Sequence, residues 1–163
     1  MLTVKIRLLA IVLFLTVSVD SLAQEKTEKD KINSLKTMID SKQYRFNAMT
    51  ANTAKGKTIQ LTSEYSLRLN RDTLQVDLPY YGRAYSADYG GTDLSIQFNS
   101  TNFSYTADTT KKGGWEITII PMNESKANKI YMSVSSGGYC NMNVLSNSRQ
   151  SISFYGTIEA LKK

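Results

Sequence analysis

The chain has 163 residues, with 20 Lys and Arg against 14 Asp and Glu for a net charge of +6, no histidine and one cysteine. Without His there is no Ser-His-Asp or Cys-His catalysis and no imidazole-bound zinc or copper. A single Cys forms neither an internal disulfide nor a thiolate metal cluster.

Chemistry is left to carboxylate pairs, Tyr, Lys, and hydroxyl nucleophiles with a Lys base. The basic excess is spread along the chain and forms no stripe. That distribution favours solubility and argues against nucleic acid as a partner.

Residues 1–23 have the layout of a cleaved secretory signal. Lys5 and Arg7 precede the apolar run Leu8–Val19, and Ser21-Leu22-Ala23 closes it ahead of Gln24. The run falls short of the about 20 apolar residues of a membrane span. The expectation is a cut after Ala23 and a periplasmic or secreted chain that does not span the membrane once the signal is removed. No Cys follows that cut as a lipid attachment point.

Residues 24–43 are rich in helix formers and lack Gly and Pro. Glu25 and Lys29 stand four apart, Glu28 and Lys31 three apart, and Ile32, Leu35 and Ile39 make one narrow apolar stripe. An N-terminal amphipathic helix is expected here, packed on a sheet or closing one barrel end.

From Tyr44 to the end at 163 the apolar period becomes two. Tyr44-Phe46-Ala48, Ile59-Leu61, Tyr65-Leu67-Leu69 and Leu74-Val76-Leu78 alternate with polar residues, and Asn70–Thr73 is the turn of a hairpin. Leu94-Ile96-Phe98, Phe103-Tyr105-Ala107, Trp115-Ile117-Ile119, Ile130-Met132-Val134, Cys140-Met142-Val144 and Ile152-Phe154-Gly156-Ile158 continue the pattern. Nine or ten short strands without helices between them predict an all-β fold, an antiparallel barrel, with a two-sheet sandwich as the alternative. The alternating set is large enough to fill a small barrel. Cys140 shares the inward register and is expected to be buried, the alternative being an intermolecular bridge. Trp115 opens the apolar register of its strand and is read as core, while Gly113-Gly114 and Gly137-Gly138 read as turns.

The segment Leu78-Pro-Tyr-Tyr-Gly-Arg-Ala-Tyr-Ser-Ala-Asp-Tyr-Gly-Gly91 departs from plain alternation. Pro79 marks an edge or a bend, and the glycines allow close backbone approach. Tyr80, Tyr81, Arg83, Tyr85, Asp88 and Tyr89 are the candidate ligand- or partner-binding residues, since tyrosine rings with one Arg offer broad faces and fixed donors. In the alternative, the tyrosines cover their own sheet and Arg83 pairs with Asp77 or Asp88.

The string LPYYGRAYSADYGG, with the later strands LSIQF and SISFYGTI, resembles a family of small exported bacterial proteins of unknown function, domain-of-unknown-function family 4251. The likeness runs from about Tyr44 to Ile158. It implies a secreted or envelope β protein with a lipocalin-like antiparallel barrel, and brings no activity, ligand or catalytic residue.

Other constellations are weaker. Asp88 and Asp93 lack the six to eight oxygens of a calcium site, so no metal is expected. Asp77, Asp88, Asp93 and Glu116 are glycosidase carboxylates only by elimination. Lys55 and Lys57, candidates for a Ser-Lys base, read better as part of a solvated turn.

The expected function is a non-enzymatic binding or interaction module of the envelope, with no cofactor and no catalytic residue, using the Tyr-rich edge from Pro79 to Gly91. Its partner would be a small molecule, a glycan or an envelope protein. The alternatives are a carrier of a small apolar ligand in a barrel cavity and a carboxylate-dependent hydrolase.

Overall fold

A computed structural model describes residues 28–83, 85, 95–111 and 113–161. The leader lies outside them, as do Asp88, Tyr89 and Asp93. The chain divides into a leading unit, Met1–Ser34, and a second, Leu35–Lys163, that holds all the strands.

Residues 28–40 are helical (α1), with the four-residue spacing of Lys36 and Asp40 used for an ion pair on the exposed side. The helix ends before residue 43, the expected boundary. Lys42 turns left-handed at φ 55°, and its carbonyl accepts a hydrogen bond from the Arg71 N–H at 2.8 Å, so Gln43 already belongs to the first strand. Leu35 and Ile39, from the apolar stripe, are buried. The Tyr105 hydroxyl donates to the Ile39 carbonyl at 3.1 Å, which ties the last helical turn to the sheet.

Nine strands run through the described residues: β1 (Gln43–Thr53), β2 (Thr58–Asn70), β3 (Thr73–Pro79), β4 (Ser95–Ser100), β5 (Phe103–Thr109), β6 (Trp115–Pro121), β7 (Lys129–Val134), β8 (Tyr139–Leu145) and β9 (Ile152–Ala160). They form one antiparallel sheet in the order β4-β3-β2-β1-β9-β8-β7-β6-β5. The two edge strands, β4 and β5, are consecutive in the chain and separated only by Thr101 and Asn102. Laid flat, nine strands would hold the edges about 38 Å apart at the usual strand spacing. The linker spans at most about 11 Å. The sheet must therefore curl to bring the linked ends of β4 and β5 together, and the fold is a curled, barrel-like half-barrel and not a sandwich of two sheets.

The alternating residues fall as the pattern requires. Tyr44, Phe46, Leu67, Leu69, Leu74, Val76, Ile96, Ile117, Ile119, Ile130, Met132, Met142 and Phe154 are all buried on the inner face. Tyr44 of β1 reaches across to Met132 of β7, hydroxyl to sulfur at 4.0 Å, so large side chains occupy the middle. Trp115 and Cys140 are buried with them, and the thiol is free.

One irregularity bends the sheet. Along β1, Ala48 faces Gly156 of β9 and Thr50 faces Tyr155, so Met49 is an extra residue opposite none. The bulge moves the inward parity from Ala48 to Ala51 and leaves Met49 exposed. On the other side, β2 skips from Tyr65 to Gln60 against the same two residues, so Leu61–Glu64 swing away from β1. The two runs expected at Ile59-Leu61 and Tyr65-Leu69 are thus one strand carrying an excursion.

Candidate functional site

The expected site segment leaves the end of β3. Pro79, the last residue of β3, pairs with Ser95 of β4 but has no partner on β2. β3 is nonetheless an inner strand, flanked by β2 and β4, and Pro79 marks a bend at its exit, not a sheet edge.

Tyr80 keeps the inward parity of Leu74, Val76 and Leu78 and is only 3% exposed. Its hydroxyl lies 2.8 Å from the Arg83 carbonyl and 3.1 Å from that of Gln150, which share its one proton. The Arg149 guanidinium sits 5.3 Å from the ring centroid, and its Nη1 donates to the Ser95 carbonyl at 3.0 Å. Burial raises the pKa of the phenol and so keeps it a donor. Tyr80 is an anchor, not a contact residue.

Around that anchor the backbone is laced to the β8–β9 connection. Gln150 N–H donates to the Arg83 carbonyl at 3.1 Å, and Tyr85 N–H to the Ser148 carbonyl at 2.7 Å. The Gln150 side-chain oxygen accepts from the Arg83 N–H at 3.4 Å. Gly82 permits the tight turn: a Cβ there would lie 2.4 Å from the Tyr80 hydroxyl. The braced loop sends Tyr81 (39% exposed), Arg83 and Tyr85 (68% exposed) outward. The structure thus separates the expected set: Tyr80 goes in, and Tyr81, Arg83 and Tyr85 go out. Among the described residues Arg83 has no ion pair, with Asp77 or with any other carboxylate.

Tyr81 and Arg83 form one wall of a groove of about 380 Å³. The β1–β2 turn, with Lys55 and Lys57, and Ile59 at the start of β2 line it too, together with Gln150. The turn is closed by backbone bonds: Thr53 N–H donates to the Lys57 carbonyl and Gly56 N–H to the Thr53 carbonyl, both at 2.9 Å, with Gly56 at φ 78°. Among the described residues the groove thus gathers three cations and no carboxylate. Reading the chain linearly missed Lys55, Lys57 and Gln150 as partners of Tyr81 and Arg83. The available signal was a Lys-Gly-Lys turn with no acid nearby.

A larger hollow, about 990 Å³, lies on the outer face of β9, β1, β2, β3 and β4, walled by the Ser63–Glu64 excursion. Its charges include Arg45 and Arg68 with Glu64, Asp77 and Glu159, and the Arg45 guanidinium pairs with Glu64 at 3.3 Å. Its charge is largely balanced from within; that of the smaller groove is not.

The family model described as "Domain of unknown function (DUF4251)" matches residues 26–158. The chain belongs to this family. A crystal structure of a DUF4251 family protein from Bacteroides eggerthii DSM 20697 is similar, with a TM-score of 0.60 at 14% sequence identity, covering 80% of this chain and 87% of that one. At that identity the likeness shows the fold alone. No curated protein matches. DUF4251 membership therefore supplies an architecture, and function must be argued from the site.

Proposed function

We propose that this DUF4251 protein is an exported, non-enzymatic binding module of the cell envelope, and that Tyr81, Arg83 and Tyr85 form its contact surface. The single observation that carries the reading is the bracing. Backbone bonds to Ser148 and Gln150 hold the loop that carries two exposed tyrosines and an arginine with no ion pair among the described residues. A recognition surface that is rigid before contact forfeits less entropy on binding. Export is supported by the layout of residues 1–23.

Among the described residues, no carboxylate that could serve a hydrolase lines the groove beside that loop. A carrier reading draws no support from the inner face, which Tyr44, Phe46, Met132 and Phe154 occupy. The test is native mass spectrometry of the protein taken from its own envelope fraction. The expected result is a chain beginning at Gln24 that carries an adduct lost in the Tyr81→Ala/Arg83→Ala double variant. Identical adduct profiles for both proteins, or no adduct on either, would overturn the assignment of this surface.

A further inference from the structure

We propose that the groove between the β1–β2 turn and the Tyr81–Arg83 loop binds an organic anion, an acidic headgroup carried on an apolar body. The inference rests on the reading of this loop as a binding surface and names the chemistry it takes.

Three features of the groove carry it. Lys55, Lys57 and Arg83 all line it, and none of them has an ion pair among the described residues. Like charges gathered without a counter-ion repel one another, and a bound anion relieves that repulsion. Two cations outside the groove do have a carboxylate partner, Lys36 with Asp40 and Arg45 with Glu64.

The second feature is a neutral donor among the lining residues. Gln150 turns its side-chain oxygen to the Arg83 N–H, which leaves its NH₂ group without a protein partner among the described residues. An amide so oriented presents donors, as an anion requires. Arg83 adds the planar fork that meets a carboxylate or phosphate with two parallel bonds, and the lysines act as point charges.

The third is the apolar remainder. Ile59 and the half-exposed Tyr81 ring share the groove with the cations, and its volume of about 380 Å³ falls within the usual range of small-molecule sites. A bare inorganic ion would use the charges and leave those surfaces wet. An aromatic or short aliphatic body attached to the acid would cover them, with Tyr81 as the stacking face.

The test is a calorimetric titration of the leaderless chain with four probes: phenyl phosphate, phenylacetate, inorganic phosphate and uncharged benzyl alcohol. Phenyl phosphate and phenylacetate are expected to saturate, with affinity falling as salt rises, and their relative strength identifies the headgroup. Inorganic phosphate is expected to bind more weakly than phenyl phosphate, and benzyl alcohol not to saturate.

Removing one cation, as in Lys55→Ala or Lys57→Ala, should weaken binding about two- to five-fold, the range of an exposed charge pair. The triple variant Lys55→Ala/Lys57→Ala/Arg83→Ala should lose at least tenfold, and Lys57→Arg should retain binding. All these side chains are exposed, so an unchanged thermal melt confirms that each variant folds. Saturation that is equal in the wild type and the triple variant, or no saturation by either organic anion, would overturn the proposal. If the anions fail while the envelope adduct still depends on Tyr81 and Arg83, the contact surface stands and its assigned chemistry falls. If both fail, the two fall together.

Discussion

Tyr80 and Tyr81 are chemically identical neighbours with opposite fates, and the cause is parity. Tyr80 continues the series Leu74, Val76, Leu78 inward, whereas Tyr81 takes the solvent side. That division was legible in the alternation, which runs two residues past the strand. The Tyr80 hydroxyl's two carbonyl partners were not legible, because Gln150 approaches from a strand connection 70 positions away. Tyr80→Phe should cost about 0.5–1.5 kcal/mol, the worth of a net hydrogen bond, read by urea unfolding. Gly82→Ala should cost more, about 1–3 kcal/mol, since the added methyl meets a hydroxyl that two carbonyls hold in place. Cys140 makes a chemical prediction. Burial, and then the nearby Glu116 charge, push its thiol from an ordinary 9.0 up to about 12. A thiol so placed should resist Ellman's reagent in the native protein at pH 8 and react at once in guanidinium.

At the scale of elements, the strands were readable because the inner face is apolar at every second position, and the helix because its stripe changes the period. The β1 bulge was hidden, since nothing in Tyr44–Thr53 alone announces an extra residue. Its cause lies on β9, where Gly156 meets Asn47 so closely that a Cβ would fall 1.9 Å from the Asn47 carbonyl oxygen and 2.9 Å from the Phe46 ring. A glycine inside a strand pattern is the one mark that could have pointed there. Gly156→Ala should therefore cost at least the roughly 1–3 kcal/mol of an overpacked core, and it should perturb β1 as well as β9 in amide exchange. The last helical turn offers a complementary test. Ile39→Ala empties a fully buried position and should cost about 2–5 kcal/mol, read by thermal or urea unfolding.

For the whole molecule, the buried acids set the alkaline limit. Burial raises Tyr105 from an ordinary 10.0 to about 12, and Cys140 climbs to the same region. In each case the folded state holds its proton at a pH where the unfolded chain has released it. Stability from these groups is thus complete below about pH 9 and declines through pH 12, each group adding a slope of up to about 1.4 kcal/mol per pH unit. Urea midpoints at pH 8, 10 and 11 should fall in that order; an unchanged midpoint would show that the Tyr105 phenol and the Cys140 thiol are hydrated. The groove belongs to this scale too. It joins residues near 55, 82 and 150, three stretches that the folded sheet brings together, which is why a linear reading found only Tyr81 and Arg83 of its lining.

The ladder between β1 and β9 has a kinetic corollary. Tyr44 must find Ala160, and Thr53 must find Ile152, after everything between them has been made. The hairpins β1–β2 and β7–β8 can zip up from local turns, but the strand pair that unites the two halves waits on a search across about a hundred residues, the kind of non-local step that slows folding. Until then the flank of β1 away from β2 presents bare amide and carbonyl groups, a template for another unfinished copy. A ribosome-bound or truncated chain that stops before Ile152 should accordingly need a chaperone to stay in solution, while the finished one does not.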